Sequence, residues 1–105
     1  MINEIIIFSI QRLDYVNNIK NNSYIIFNEF IDIKDLIDND LEISQTKYKL
    51  FAAIHHIGEI DNGHYYIVIR KDKEWFIFND SIIEKNNSMN YKSKPVCFLI
   101  YQKIK

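Results

Sequence analysis

Apolar runs of strand length, separated by short polar breaks, organise this chain from end to end. Glu4–Ile10 is almost unbroken and biased toward β-branched residues, which predicts a buried strand. Gln11 to Tyr15 carries it toward a polar stretch, Asn17 to Asn22, whose asparagines suit a turn. Ser23–Phe27 then reads as the returning strand of a first hairpin. Between Ile31 and Leu41, Asp mixes with Ile and Leu at roughly helical spacing, and Asp32 is placed to cap, so a short helix is expected there. Tyr48–Ile57 is the next strand, followed by a loop from Gly58 to Gly63. His64 to Arg70 is apolar apart from its two ends, and so is Trp75–Phe78; Lys71-Asp72-Lys73 is the only break between them, which predicts a tight antiparallel hairpin. Glu84 to Lys94 is polar and reads as an exposed loop ended by Pro95. Val96–Ile104 is apolar on both faces, as a central strand requires. The expected fold is α+β, mostly an antiparallel sheet of about six strands with one short helix.

Composition narrows the class. The 105 residues make one domain or part of one. A chain that is 48% hydrophobic and 14% aromatic, with two Gly and one Pro, favours β-structure over disorder. Acidic and basic residues are interspersed and the net charge is −1, so no electrostatic footprint for nucleic acid is present. The acidic group Asp32, Asp35, Asp38, Asp40 and Glu42 reads as a solvated face. No apolar run approaches the ~20 residues of a membrane span. Ile5-Ile6-Ile7-Phe8 is too short for a signal-peptide core and follows Glu4 instead of a basic region. A single cysteine excludes an internal disulfide and a multi-cysteine zinc site, which fits a reducing, intracellular setting, cytoplasm or nucleus.

Candidate chemistry gathers on the second hairpin. Pairing across a loop of two to four residues makes the numbers of facing residues sum to about 143–145. That sets His64 opposite Asn79, Asp80 or Ser81. An imidazole facing an amide or carboxylate is the base-plus-orienter half of a nucleophilic site, or a strand-end histidine bonded for structural reasons. Gly63 before it permits close approach of a partner chain and, with Asn62, presents the ring at a rim. Asn79-Asp80-Ser81 also has the composition of a strand-ending turn. His55 and His56 lie in an apolar strand and point to opposite faces; one is expected to be buried and hydrogen-bonded. They cannot converge on one ion and no third ligand is apparent, so neither a metal nor a cofactor is expected. Trp75, Phe76 and Phe78 read as core or sheet-face residues. Cys97, between Val96 and Phe98 in the last apolar strand, reads as buried and inert. The residues thus supply a base and an orienter without a nucleophile.

These residues resemble the C-terminal part of the ubiquitin-specific proteases, papain-like cysteine deubiquitinases. The family's histidine box is similar to Phe51-Ala52-Ala53-Ile54-His55-His56-Ile57-Gly58, then Gly63-His64-Tyr65, Ile67-Val68-Ile69-Arg70, and Trp75-Phe76-Ile77-Phe78-Asn79-Asp80-Ser81. Its closing strand resembles Val96 to Tyr101, and an upstream strand ending in Arg-Phe resembles Ile5 to Leu13, with Leu13 in place of Phe. The resemblance implies a palm-like C-terminal portion of the papain-like fold, with residues 1–105 forming a single incomplete domain. It implies His64 as general base, Asn79 as third triad member, Asp80 as an assisting acid, and Gly63 and Tyr65 on the substrate path. Arg12, His56, Gly58 and Trp75 would be framework. The family's cysteine box and its zinc-binding finger have no counterpart in these residues, and Cys97 falls where the family has Tyr. The implied activity is hydrolysis at the carboxyl terminus of ubiquitin, with ubiquitin or a ubiquitin-conjugated protein as partner. The nucleophile would come from a cysteine-box-bearing N-terminal half, and the chain alone is expected to be inactive. The alternative is a non-catalytic ubiquitin-binding or regulatory module.

Overall fold

A computed structural model of the protein describes residues 4–36, 46–86 and 89–104, without the side chains of Asp35 and Leu36. Its elements are β1 (Ile5–Ser9), β2 (Leu13–Asp14), β3 (Ile19–Lys20), β4 (Ile25–Ile26), β5 (Phe30–Asp32), a 3-10 turn (Ile33–Leu36), β6 (Lys47–Ile57), β7 (His64–Lys71), β8 (Glu74–Asn79), β9 (Ile82–Asn86), β10 (Lys92–Ser93) and β11 (Val96–Lys103). Among the described residues the main sheet has seven strands, in the order β1-β11-β6-β7-β8-β9, with β5 also paired to β6. Two short ladders, β4 with β10 and β2 with β3, flank it. Every pairing among the described residues is antiparallel.

Strand side chains alternate between faces, so the register sorts the sheet into two surfaces. One row across six strands reads Phe8, Leu99, Ala53, Val68, Ile77 and Glu84. This face carries the core: Leu99, Ala53 and Val68 are buried together with Tyr48, Leu50, Trp75, Val96 and Tyr101, and Phe27, Ile33 and Met89 cover them. The rows on either side point the other way. One reads Ser9, Phe98, Ile54, Ile67, Phe78 and Ile83; the other reads Ile7, Ile100, Ala52, Ile69, Phe76 and Lys85. That second face is nearly as apolar as the first, yet none of its large residues packs against the core among the described residues. Ile7 is 60% exposed and Ile83 61%.

Two irregularities keep β6 and β11 consistent with this sorting. The register slips between Ile100 and Tyr101, leaving Phe51 as an extra residue, so Leu50 and Ala53 both face the core. It slips again between Val96 and Phe98, where Cys97 is the extra residue.

The central strands β6, β7, β8 and β11 lie where the apolar runs predict them. Three expectations are corrected. Glu4–Ile10 is an outer strand, not a buried one, because alternate residues of its apolar run belong to the open face; Ile5 is also 42% exposed. It pairs with β11, not with Ser23–Phe27, whose residues instead pair with β10. The polar stretch after Glu84 is not all loop: β9 continues the sheet as an edge strand, whose polar residues satisfy solvent on both faces. The expected helix begins as a single 3-10 turn, with Asp32 Oδ1 accepting from the Lys34 amide at 3.0 Å as its cap. Residues 37–41 of that helix, and Asp38, Asp40 and Glu42, lie outside the described residues.

Candidate active site

The β7–β8 hairpin sets the geometry. Its facing residues sum to 145, as in Val68 with Ile77 and Lys71 with Glu74. Asp72, at φ 59, turns the chain between the two strands. His64 opens β7 and Asn79 closes β8, which makes them diagonal neighbours on one face of the sheet. His64 Nε2 is hydrogen-bonded to Asn79 Oδ1. A carboxamide oxygen only accepts, so Nε2 carries the hydrogen and Nδ1 of the neutral ring keeps its lone pair. No described residue hydrogen-bonds Nδ1. Both side chains are half-buried, which shields the bond from water while leaving the ring approachable.

The other singled-out residues take different places. Asp80 is exposed at φ 54 in the two-residue turn that joins Asn79 to Ile82, so it serves the turn and makes no contact with His64 among the described hydrogen bonds. Gly63 lies against His56: a Cβ there would fall inside the His56 ring, so no other residue fits without displacing it. Tyr65 points to the face opposite His64, sits edge-on to His56 with centroids 4.7 Å apart, and is 49% exposed. Its phenol is raised above the usual range by burial, and its hydrogen bond to Tyr15 adds to that.

His55 and His56 are both buried, not one of them. His55 stacks on Tyr66 at 4.8 Å and approaches Ser93 Oγ at 3.5 Å. Burial, and then the charge of Arg12, lower its pKa to about 4, so the ring is neutral. His56 is lowered by burial and by Lys20. Among the described residues no group of three or more His, Cys, Asp or Glu could hold a metal ion.

Cys97 is 5% exposed, and its Sγ lies 3.5 Å from the Pro95 carbonyl. Burial raises its thiol pKa, with Arg12 and Lys20 opposing weakly, so the thiolate that nucleophilic attack needs is disfavoured. Trp75 is buried, and Phe76 and Phe78 are half-buried on the open face.

Sequence reasoning placed Arg12 only as framework and missed Lys20. The Arg12 guanidinium is 4% exposed and donates to the carbonyls of Val96 (2.5 Å), Ser23 (2.8 Å), Asn21 (2.9 Å) and Ser93 (3.2 Å). It ties the start of β11 to the small hairpin formed by β2 and β3. Lys20 donates to the carbonyls of His56 and Gly58. Because the acceptors are backbone atoms distant in sequence, no residue pattern announces either role.

The chain matches the family model described as "Ubiquitin carboxyl-terminal hydrolase" over residues 3–101. It is 27% identical over 107 residues to ubiquitin carboxyl-terminal hydrolase 9 of Arabidopsis thaliana, covering 97% of this chain and 12% of that protein. It is 42% identical over 59 residues to Ubl carboxyl-terminal hydrolase 18 of Homo sapiens, covering 54% of this chain and 16% of that one. Among solved structures it superposes on a chain of the SAGA Ubp8/Sgf11/Sus1/Sgf73 DUB module with a TM-score of 0.81 at 20% identity, over 97% of this chain and 24% of that one. The same module bound to ubiquitin aldehyde gives 0.80 at 19% identity. These structures share the fold, and the chain spans about a quarter of theirs and about an eighth of the Arabidopsis relative. With a mostly antiparallel sheet and a match to the family model over nearly its whole length, the chain belongs to the ubiquitin carboxyl-terminal hydrolase family.

Proposed function

We propose that residues 1–105 are the C-terminal part of a ubiquitin-specific protease catalytic domain, and that they supply the base and orienter for a cysteine provided by another part or another chain. The observation that carries this reading is the hydrogen bond from His64 Nε2 to Asn79 Oδ1, which leaves Nδ1 as a positioned proton acceptor. Cys97 is the only cysteine of these residues and is buried, so it is not the nucleophile.

In the assembled site, His64 Nδ1 takes the proton of the incoming thiol, and the thiolate and imidazolium form an ion pair. The thiolate attacks the carbonyl carbon of ubiquitin's C-terminal glycine. The tetrahedral intermediate collapses as His64 gives its proton to the departing lysine amine, leaving a thioester. Water then adds to that thioester with His64 again as base, and the free ubiquitin carboxylate departs. Asn79 keeps the ring aimed throughout and steadies the imidazolium through its oxygen. Asp80, beside it, adds negative charge at the rim. Gly63 borders the path of the substrate's terminal glycines, while Tyr65, on the other face, backs the loop through His56.

The open apolar face, on the other side of the sheet from His64 and Asn79, gives a further body a surface to pack on. Its rows run through Phe98, Ile54, Ile67 and Phe78, a continuity that soluble monomers rarely leave uncovered. The single unpaired thiol fits action inside the cell. A ubiquitin derivative with a C-terminal electrophile tests the reading when added to the chain with and without a separately expressed cysteine-bearing half. Labelling of the added half alone, lost in His64→Ala, is the expected result; labelling of Cys97 overturns it.

A further inference from the structure

Lys20 closes β3, in a hairpin remote in sequence from the histidine loop, yet its ammonium reaches that loop. It donates to the carbonyl of His56 at 3.1 Å and to that of Gly58 at 2.8 Å. The two carbonyls bracket Ile57, the last residue of β6, and Gly58 turns the chain away from the sheet at φ 87. Residues 58–63 then bring the chain back to His64. At the return, Gly63 is seated on the His56 ring and beside the Glu59 carbonyl.

Both ends of the loop are therefore fixed on one residue, the backbone of His56 at the exit and its ring at the return. The ring itself is held by packing: it is 2% exposed, rests edge-on against Tyr65, and its Nδ1 has no hydrogen-bond partner. Its position follows the His56 backbone, whose amide donates to the Pro95 carbonyl at 2.8 Å and whose carbonyl Lys20 grips. His64 comes directly after Gly63, so a shift of the loop is passed to the ring that must meet Asn79.

We propose that Lys20 is a positioning residue, whose ammonium clamps the mouth of the 58–63 loop and keeps Gly63 seated on His56, so that His64 holds Nε2 on Asn79. An ammonium suits this role because its three donors serve two divergent carbonyls, and charge-assisted bonds are the stronger kind. Among the described residues no carboxylate forms a salt bridge with Lys20. The inference rests on the reading of His64 as the base, and its test measures the loop and the ring without measuring catalysis, so the two fail separately.

Amide hydrogen exchange and imidazole two-bond nitrogen–proton spectra are recorded on the 105-residue chain as wild type, Lys20→Met and Lys20→Arg, with Lys92→Met as a control for loss of charge. In Lys20→Met, exchange over residues 58–64 rises by about tenfold or more while the ladder around Ala53 and Leu99 keeps its protection. The His64 ring then loses its single Nε2–H pattern, Lys20→Arg largely restores both, and Lys92→Met changes neither. Unchanged exchange and ring pattern in Lys20→Met overturn the proposal. So does acceleration across the whole sheet, or failure to fold, since either makes Lys20 a general stabiliser. On the wild-type chain, acylation of lysines by an amine-reactive ester gives an independent reading: the clamped Lys20 reacts more slowly than exposed Lys92 and Lys94, and equal rates contradict the clamp.

Discussion

The two faces of the main sheet are built from similar residues and meet different fates. On one, Val68, Ala53 and Leu99 disappear beneath Phe27, Ile33 and Met89. On the other, Ile54, Ile67, Phe78 and Phe98 form an equally continuous apolar row that remains outside the core. The covered face pays for the fold of this chain; on the proposed reading, the open face is surface for another body. The candidate active site sits at a strand end on the covered side, where His64 is hydrogen-bonded to Asn79.

The comparison breaks most easily by truncating one residue on each face. Leu50, fully buried in the core, should cost roughly 2–5 kcal/mol as Leu50→Ala in urea unfolding, while Ile67→Ala on the open face should cost under about 1 kcal/mol. Equal losses would mean that both faces are core.

The histidines sharpen it next. His55 lies on the covered side with a pKa lowered to about 4, against 6.5 for the free side chain. A base whose folded pKa is depressed takes up its proton more readily when unfolded. Stability is therefore complete above pH 6.5 and falls as the pH drops from 6.5 toward 4, by about 3 kcal/mol at most. His55→Gln should flatten that slope in urea titrations at stepped pH. A slope that survives the substitution assigns the titration to another group.

The smallest stability effect belongs to the open face itself. Replacing exposed Ile7 and Ile83 by Ser should change unfolding free energy by less than about 0.5 kcal/mol each, yet reduce self-association in sedimentation velocity. A wild-type chain that stays monomeric at high concentration would remove the reason to reserve that face.

The central strands were legible because their apolar runs are bounded by clear turn residues. The expected hairpin register, a sum of 143–145, contains the observed 145, which, continued to the strand end, sets His64 across from Ser81 and diagonal to Asn79. Burial of Cys97 was legible from its neighbours. The pairing of β1 was not, because an apolar run does not name its partner across the chain, and Ile5 finds Gln102. β9 was hidden by edge-strand polarity, with Lys85 reaching Glu74 at 2.8 Å across the ladder. Asp80 shows the opposite difficulty: one residue fits both a turn and a site, and the structure places it in the turn while leaving it adjacent to Asn79.

The most direct measurement is the steady-state rate of cleavage of a fluorogenic amide at ubiquitin's carboxyl terminus by the chain mixed with a cysteine-bearing half. The account predicts no turnover from either piece alone, turnover from the pair, and a loss on the order of a thousandfold in His64→Gln. A pair that works equally well with His64→Gln, or a chain that hydrolyses the amide unaided, would contradict it.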